Sequence, residues 1–240
     1  MSPRTKEQNE EIRLRRLAQI RKAAADVFLN KGPLLEIRDV AVQAGLGYGT
    51  VYHYYSNKGN LLHDLLWDAL ERAGGWLEAP RASASGEAPA GGHFGLVAAA
   101  DTGNSVAADS QSSSRETAAS TELGSVAVAG IRLLQLWAED HALYLLHKLA
   151  GEGFASLPEA RSAPLSAAFR REVLAPLAAL LETGRAADGA AASGGNAAEP
   201  PYRLQRAEML LAALVGCASL SLRRGKLHEE AEDIVRFLKL

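Results

Sequence analysis

The segment from Ile37 to Tyr55 carries the side chains whose types and spacing are best suited to chemistry. Apolar residues at intervals of three and four over Ile37–Ala44 predict a short helix, and Gly45 allows the left-handed backbone that a tight turn requires. A second short helix, rich in tyrosine, is predicted from about Gly47 to Tyr54. Helix, glycine turn and helix form a helix-turn-helix, whose second helix reads base edges in the major groove of DNA. The chemistry of this segment is therefore hydrogen bonding to nucleic acid.

Motifs typical of catalysis or of metal binding are missing from the sequence. It contains no GlyxSerxGly nucleophile motif, no glycine-rich phosphate loop and no HisGluxxHis pair. We therefore expect no catalytic residue, no metal site, no cofactor and no enzymatic activity. An enzyme that carries a DNA-binding head remains a distant alternative, because many active sites leave no local signature.

Charge is distributed unevenly along the chain. Residues 1–58 hold ten Lys and Arg against six Asp and Glu, whereas the whole chain has a net charge of −2. A basic N-terminal block on an acidic body is expected of a small DNA-reading domain joined to a larger domain that does not touch DNA. On charge alone, a solvated helix face with scattered arginines explains the pattern equally well.

Cysteine content and hydropathy predict where the protein works. Cys217 is the one cysteine, so no disulfide can form within the chain, as suits a reducing compartment. The charged N-terminus does not resemble a signal peptide, and no apolar run approaches the ~20 residues of a membrane helix. We expect a soluble, cytoplasmic protein that does not associate with a membrane.

Apolar periodicity predicts an all-α chain of two domains. A helix face over residues 20–28 ends at Gly32 and Pro33, and another helix follows a cap at Ser56 or Asn57. We place a three-helix DNA-binding domain with a helix-turn-helix at residues 13–73 and a second helical domain at residues 74–240, for which a family resemblance described below implies effector binding and dimerisation. Stretches rich in Ala, Gly and Ser predict disordered loops at 80–120 and 186–201. Pro176 predicts a kink or a helix start at its position.

Three runs carry a resemblance to the tetracycline-repressor (TetR) family of transcriptional regulators. They are IRKAAADVFLNKG (20–32), IRDVAVQAGL (37–46) and GTVYHYYSNKGNLL (49–62). The resemblance covers about a quarter of the chain. It implies a homodimer that binds double-stranded operator DNA through this segment.

The resemblance also implies roles for single residues. Tyr48 and Thr50 would face bases, whereas Tyr52 and His53 would meet bases or backbone, or else pack inside the domain. Arg38 and Lys58 would bind phosphates. Gly47 and Gly49, beside the base-contacting residues, complete the predicted interface. Val51, Tyr54 and Tyr55 are expected to belong to the core. The sequence departs from the family at Gly47, Tyr48 and Gly59, where a capping hydroxyl, a lysine and a glutamate are common.

The C-terminal body is assigned from the resemblance and from weaker patterns. Helices near residues 165–183 and 203–222 would form the dimer, and Ala212 and Gly216 would let helices approach closely; the alternative is a core within one chain. The spacing of Trp137, His141, Tyr144 and Lys148 predicts that they share one helix face. Trp137, His141, Tyr144 and Phe154 are candidate effector residues, and the same pocket could also draw on Leu145 and His147. An aromatic face of this kind is also typical of a core.

These observations predict a repressor that an unknown small-molecule effector releases from its operator. The alternative keeps the DNA-binding head and replaces the small molecule with control by a protein partner or by abundance of the regulator itself.

Overall fold

The structure, a computed structural model, describes residues 5–74, 124–187 and 200–240. Within these ranges every regular element is a helix, which confirms the predicted all-α fold. The α-helices are α1 (Lys6–Lys31), α2 (Ile37–Ala44), α3 (Tyr48–Tyr54), α4 (Lys58–Ala73), α5 (Ser125–Glu139), α6 (His141–Gly151), α7 (Glu159–Phe169), α8 (Ala175–Ala187), α9 (Pro200–Arg223) and α10 (Leu227–Phe237).

The predicted loops fall largely outside these ranges. Loop 80–120 lies outside the described residues, and so do residues 188–199 of the second loop. The ends of that second loop are helical, because α8 continues to Ala187 and α9 begins at Pro200.

The first helix begins earlier than the predicted domain start at residue 13. Thr5 caps α1 by accepting a hydrogen bond from the Gln8 N–H, and the Gln8 side chain accepts one in return from the Thr5 N–H. The first buried residue of the helix is Ile20. The turns before it carry no core face, so hydrophobic periodicity could not reveal them. At the other end, α4 stops at Ala73, where the prediction placed the domain boundary.

The helix-turn-helix is built as the glycine and the apolar spacing predicted. Gly45 has φ 64° and ψ 32°, the left-handed conformation that ends α2. The next N–H, that of Leu46, donates to the Ala41 carbonyl at 2.9 Å, and the Leu46 side chain packs against the core. Val51 of α3 has no exposed surface and anchors that helix to the core it shares with α1 and α4.

Asp140 separates α5 from α6, and this corrects the predicted single helix through Trp137, His141 and Tyr144. Its backbone is extended, with φ −128° and ψ 96°, and its carboxylate accepts a hydrogen bond from the Ala142 N–H at 2.9 Å. An aspartate at this position starts a new helix by satisfying one of its free N–H groups. The three predicted residues therefore do not share one helix face.

The region before Pro176 has an unusually wide turn. Residues Arg170–Leu174 form a π-helical turn between α7 and α8, and the Ala175 N–H donates to the Arg170 carbonyl five residues back. Pro176 has no N–H to donate, and its ring would crowd the carbonyl four residues earlier in a regular helix. The wide turn accommodates both constraints, and α8 begins beside the proline as the sequence predicted.

Two glycine substitutions in the helix-turn-helix are expected to have opposite effects on stability. Gly45→Ala should lower the free energy of unfolding by about 1 kcal/mol, because alanine disfavours positive φ. Gly49→Ala should raise it by a few tenths to about 1 kcal/mol, because Gly49 lies within α3. An added Cβ meets no atom within 4 Å at either site, so neither effect arises from a clash. Urea unfolding measures both, and equal signs would contradict the assigned turn.

Candidate functional site

Helix α3 divides its side chains between the core and an exposed edge. Val51 and Tyr55 are 0% and 3% exposed, whereas Tyr48 and Tyr52 are 52% and 49% exposed. Tyr54 is partly buried against the core. The remaining predicted α3 contacts are all exposed: Gly47, Gly49, Thr50 and His53. The helix therefore presents a continuous polar and aromatic edge to solvent.

Tyr48 and Tyr52 stack on this edge. Their ring centroids are 5.7 Å apart and their planes differ by 29°. The residues are four apart in one helix, so their side chains are neighbours on its surface. Stacking gives α3 a preorganised aromatic surface that carries two hydroxyl groups.

A shallow depression brings the exposed edge together with the two predicted phosphate-binding cations. It is lined by residues from α2, α3 and the start of α4, including Arg38, Tyr48, Tyr52 and Lys58. Glu36 and Ser56 also line it, and the sequence analysis did not select them because they lie in the joints between helices. Glu36 adds a negative charge next to the two cations.

Lys58 is held in place at the N-terminus of α4. Its Nζ donates to the Pro33 carbonyl at 2.9 Å while the side chain stays exposed. The preceding residue, Asn57, caps the helix by accepting from the Asn60 N–H at 2.8 Å. A cation beside free helix N–H groups is a favourable place for an anion.

Arg21 of α1 ties the end of α3 to α4 below the exposed edge. Its Nη1 lies 2.5 Å from Asp68 Oδ1, and its Nε donates to the Tyr55 hydroxyl at 3.3 Å. Burial raises the pKa of Tyr55, so the phenol stays neutral. The partners of Arg21 lie 34 and 47 residues further along the chain, beyond the reach of any local pattern.

An ion pair and a histidine–aspartate contact connect α4 and α1 to α6. Arg72 of α4 hydrogen-bonds the Asp140 carboxylate from Nε at 3.0 Å and from Nη2 at 2.8 Å, and it also pairs with Asp68. The Nδ1 atom of His141 lies 2.7 Å from Asp26 Oδ1 on α1. His141 therefore belongs to the contact between α6 and α1.

A large cavity of about 870 Å³ opens between α6, the wide turn after α7, and α9. Tyr144 and Phe154, two of the four predicted effector residues, line it. Trp137 is fully buried beside it and makes an edge-to-face contact with Tyr144, at a centroid distance of 5.7 Å. Because His141 pairs with Asp26, the structure does not bring the four predicted residues together in one pocket.

His147 also lines this cavity and is 3% exposed. Burial lowers its pKa to about 4, so the imidazole is neutral at physiological pH. Its Nε2 atom has no hydrogen-bond partner among the residues that the structure describes.

The residues that the structure describes include neither a cluster of metal ligands nor a membrane-spanning helix. In residues 5–74, 124–187 and 200–240, no three His, Cys, Asp or Glu side chains converge as a metal site would require. None of the helices described is long and apolar enough to cross a membrane.

Helix α2, the turn at Gly45 and the short tyrosine-rich helix α3 form a helix-turn-helix, the DNA-binding element of a transcriptional regulator. Residues 20–65 match the family of bacterial regulatory proteins described as the tetR family. Residues 20–65 thus form a DNA-binding domain of the type found in tetR-family regulatory proteins, which confirms the resemblance seen in the sequence. No curated protein sequence matches the chain significantly.

One solved structure shows the same fold, and two others are similar to a lesser degree. The fatty acid degradation regulator FadR from Bacillus halodurans is 16% identical and has a TM-score of 0.51, with 92% of this chain and 96% of that chain covered. The regulator FadR from Bacillus subtilis in complex with stearoyl-CoA is 18% identical, with a TM-score of 0.48 and coverage of 92% and 96%. GusR from Salmonella enterica is 17% identical, with a TM-score of 0.48 and 94% of each chain covered.

The lowered pKa of His147 should make stability depend on pH. The unfolded chain binds a proton near pH 6.5, whereas the folded chain does so only near pH 4. The part of the unfolding free energy that comes from this pKa difference is therefore fully present above pH 6.5 and is lost as the pH falls from 6.5 toward 4. Between pH 7.5 and 4.5, the protein should lose about 2 to 3 kcal/mol more unfolding free energy than the His147→Phe variant.

Urea unfolding at both pH values measures this difference, because all other titrating groups are common to the two proteins. Parallel losses in both would show that His147 is not buried in its neutral form.

Proposed function

We propose that the protein is a homodimeric transcriptional repressor that leaves its operator when a small molecule occupies the cavity beside α6. The observation that carries the DNA-binding half of this proposal is the exposed edge of α3, where the stacked tyrosines line one depression together with Arg38 and Lys58. The cavity itself supports the ligand-responsive half.

In the proposed complex, α3 lies in the major groove. Tyr48 and Thr50, at its N-terminal end, contact base edges, and Tyr52 and His53 contact bases or the adjoining backbone. Gly47 and Gly49 add no side chain and so allow the DNA to approach the backbone closely. The stacked tyrosines replace the charge of a lysine with hydroxyls that can both donate and accept hydrogen bonds.

Arg38 and Lys58 flank α3 in this complex and bind phosphates. Contacts of this kind fix the register of the protein on DNA and carry no sequence information themselves. The bond between Lys58 and the Pro33 carbonyl supports this role, since it holds the ammonium near the N-terminus of α4 before DNA arrives.

The proposed dimer uses the outer faces of α8 and α9. One face of α9, including Leu211 and Leu214, is buried within the chain, so this face belongs to the core of a single subunit. A second face is left exposed, with Met209 at 65%, Leu220 at 66% and the small residues Ala212 and Gly216 between them. Two such faces related by a two-fold axis would form a four-helix bundle with α8.

Coupling between the cavity and DNA is proposed to run through α6. This helix lines the cavity with Tyr144 and His147, and its first turn is joined to α4 and α1 by the Asp140–Arg72 and His141–Asp26 pairs. A ligand that shifts α6 would move the DNA-reading helices of each subunit and change the spacing between the two heads.

Control by a protein partner or by abundance is the alternative, and a thermal-shift screen separates it from control by a small molecule. A ligand that binds only the folded state raises the melting temperature. Turnover of such a ligand would instead support the enzyme alternative.

Lys58→Ala should weaken binding to every DNA sequence and reduce the slope of log K against log salt by about one. Titrations by fluorescence anisotropy at several salt concentrations measure the slope. Lys226→Ala removes an exposed charge from the turn before α10 and is the matched control. An unchanged slope in the Lys58 variant would remove this residue from the interface.

Tyr48→Phe should change operator preference rather than overall affinity. The substitution removes the hydroxyl and keeps the ring that stacks on Tyr52, so the fold of α3 is retained. Genomic fragments bound by the protein define the operator, and single-base variants of it are then titrated with both proteins. We expect a difference of roughly threefold to tenfold at one base position, the size of one lost hydrogen bond. A uniform loss across all variants would make Tyr48 a packing residue.

A further inference from the structure

One buried polar atom in the cavity beside α6 is left without a partner. His147 is 3% exposed and Nε2 makes no hydrogen bond with the residues that the structure describes. Burying such a group without a partner is costly, so a buried orphan calls for a functional explanation. The atom belongs to a side chain that lines the cavity, so a bound molecule can supply the missing partner.

The hydrogen bond made by Nδ1 of His147 determines whether Nε2 donates or accepts a hydrogen bond. The Nδ1 atom lies 2.7 Å from the Leu143 carbonyl and 3.3 Å from the indole nitrogen of Trp137. Nδ1 has either a proton or a lone pair, so only one contact can be a hydrogen bond. A carbonyl can only accept, and the shorter contact requires the proton to be on Nδ1. Nε2 of the neutral ring then bears the lone pair and accepts.

Tyr144 supplies the complementary group, one helical turn before His147 on α6. Its side chain is 1% exposed, it lines the same cavity, and its hydroxyl forms no hydrogen bond within the described ranges. Burial raises the pKa of Tyr144, so the hydroxyl keeps its proton and can donate. An acceptor and a donor thus occupy adjacent positions on one helix face.

Apart from Tyr144 and His147, the buried residues that line the cavity are apolar. Phe154, Phe169, Leu174 and Leu211 line the cavity and are at most 5% exposed. The charged residues that line it are of both signs, and each keeps part of its surface in solvent: Lys148, Arg170, Arg223, Glu152 and Glu208. Because cations and acids line the cavity together, its charge does not select strongly for an anionic ligand.

We propose that this cavity binds an uncharged alcohol or phenol with an apolar body. The hydroxyl of the ligand donates to His147 Nε2 and accepts from the Tyr144 hydroxyl, while its body packs against Phe154 and Phe169. Both orphan groups are satisfied by a single atom of the ligand. This assignment rests on the proposed function, since it specifies the effector of the same regulator.

Two other ligand classes fit this wall less well. A carboxylate would place negative charge against the lone pair of Nε2. An ether or a hydrocarbon of the same shape would leave Nε2 unpaired. A site that hydrogen-bonds a hydroxyl rejects analogues without one, because its buried polar groups are then left without partners.

Calorimetric titration of the full chain with two matched probe series tests the assignment. The first series is 2-naphthol, 2-methoxynaphthalene and 2-naphthoate, and the second is 1-decanol and decanoate. We expect each alcohol to bind about tenfold more tightly than the carboxylate of its series, and 2-naphthol to bind about tenfold more tightly than its ether as well. His147→Phe and Tyr144→Phe should each remove most of that preference and leave binding of the ether unchanged.

Three further variants and measurements make the result unambiguous. His228→Phe changes an exposed histidine of α10 that does not line the cavity, so it should keep the preference for the alcohol. His147→Gln retains an acceptor and should keep part of the preference, which covers the case in which His147→Phe fails to fold. Binding of each variant to the operator without ligand verifies its fold.

The inference is overturned if no probe of either series binds, if a carboxylate or the ether binds as tightly as the alcohol, or if the preference survives in folded His147→Phe. Operator release is measured separately by anisotropy. An alcohol that binds without releasing the operator overturns the proposed regulation and leaves the site standing. Release by carboxylates alone overturns the alcohol assignment and leaves regulation by a ligand standing.

Discussion

Asp68 is the carboxylate on which the arrangement of the DNA-reading helices depends. It pairs with Arg21 of α1 and with Arg72 of α4, and each arginine reaches a further group. Arg21 hydrogen-bonds the Tyr55 hydroxyl at the end of α3, and Arg72 binds Asp140 at the start of α6. One half-buried acid thus links the reading helix to the body, and removing it would leave two neighbouring arginines competing for other partners.

The recognition helix depends on this support because its own sequence stabilises it weakly. α3 has seven residues, and Gly47 at its N-cap offers no side-chain oxygen to its free N–H groups. Helices this short do not persist alone in water. Val51, buried in the core, and Tyr55, buried and bonded to Arg21, hold the inner face of the helix against the domain. Side chains on the exposed edge do not pack in the core, so this edge can accommodate the unusual Tyr48 and Tyr52.

The helix-turn-helix could be predicted from the sequence because its determinants are local. The spacing of Val40, Ala41 and Ala44, the positive φ of Gly45 and the cap at Asn57 all act within a few residues. The break at Asp140 could have been recognised as a capping residue, but the aromatic spacing across it suggested one continuous helix.

What could not be predicted depends on contacts between distant parts of the chain. His141 reaches Asp26 across 115 residues, and Arg72 reaches Asp140 across 68. Neither pair leaves a local pattern. The same holds for the cavity, because His147 acquires its unpaired nitrogen only when α6, α7 and α9 pack around it.

The position of Ala212 and Gly216 has a consequence for how the regulator would respond in a cell. Both residues line the cavity, and both lie on the exposed face of α9 assigned to the dimer. Ligand occupancy and subunit association would then be linked by mass action. The concentration of effector needed for half-maximal release would depend on how many copies of the regulator the cell contains, so expression level would set sensitivity as well as capacity.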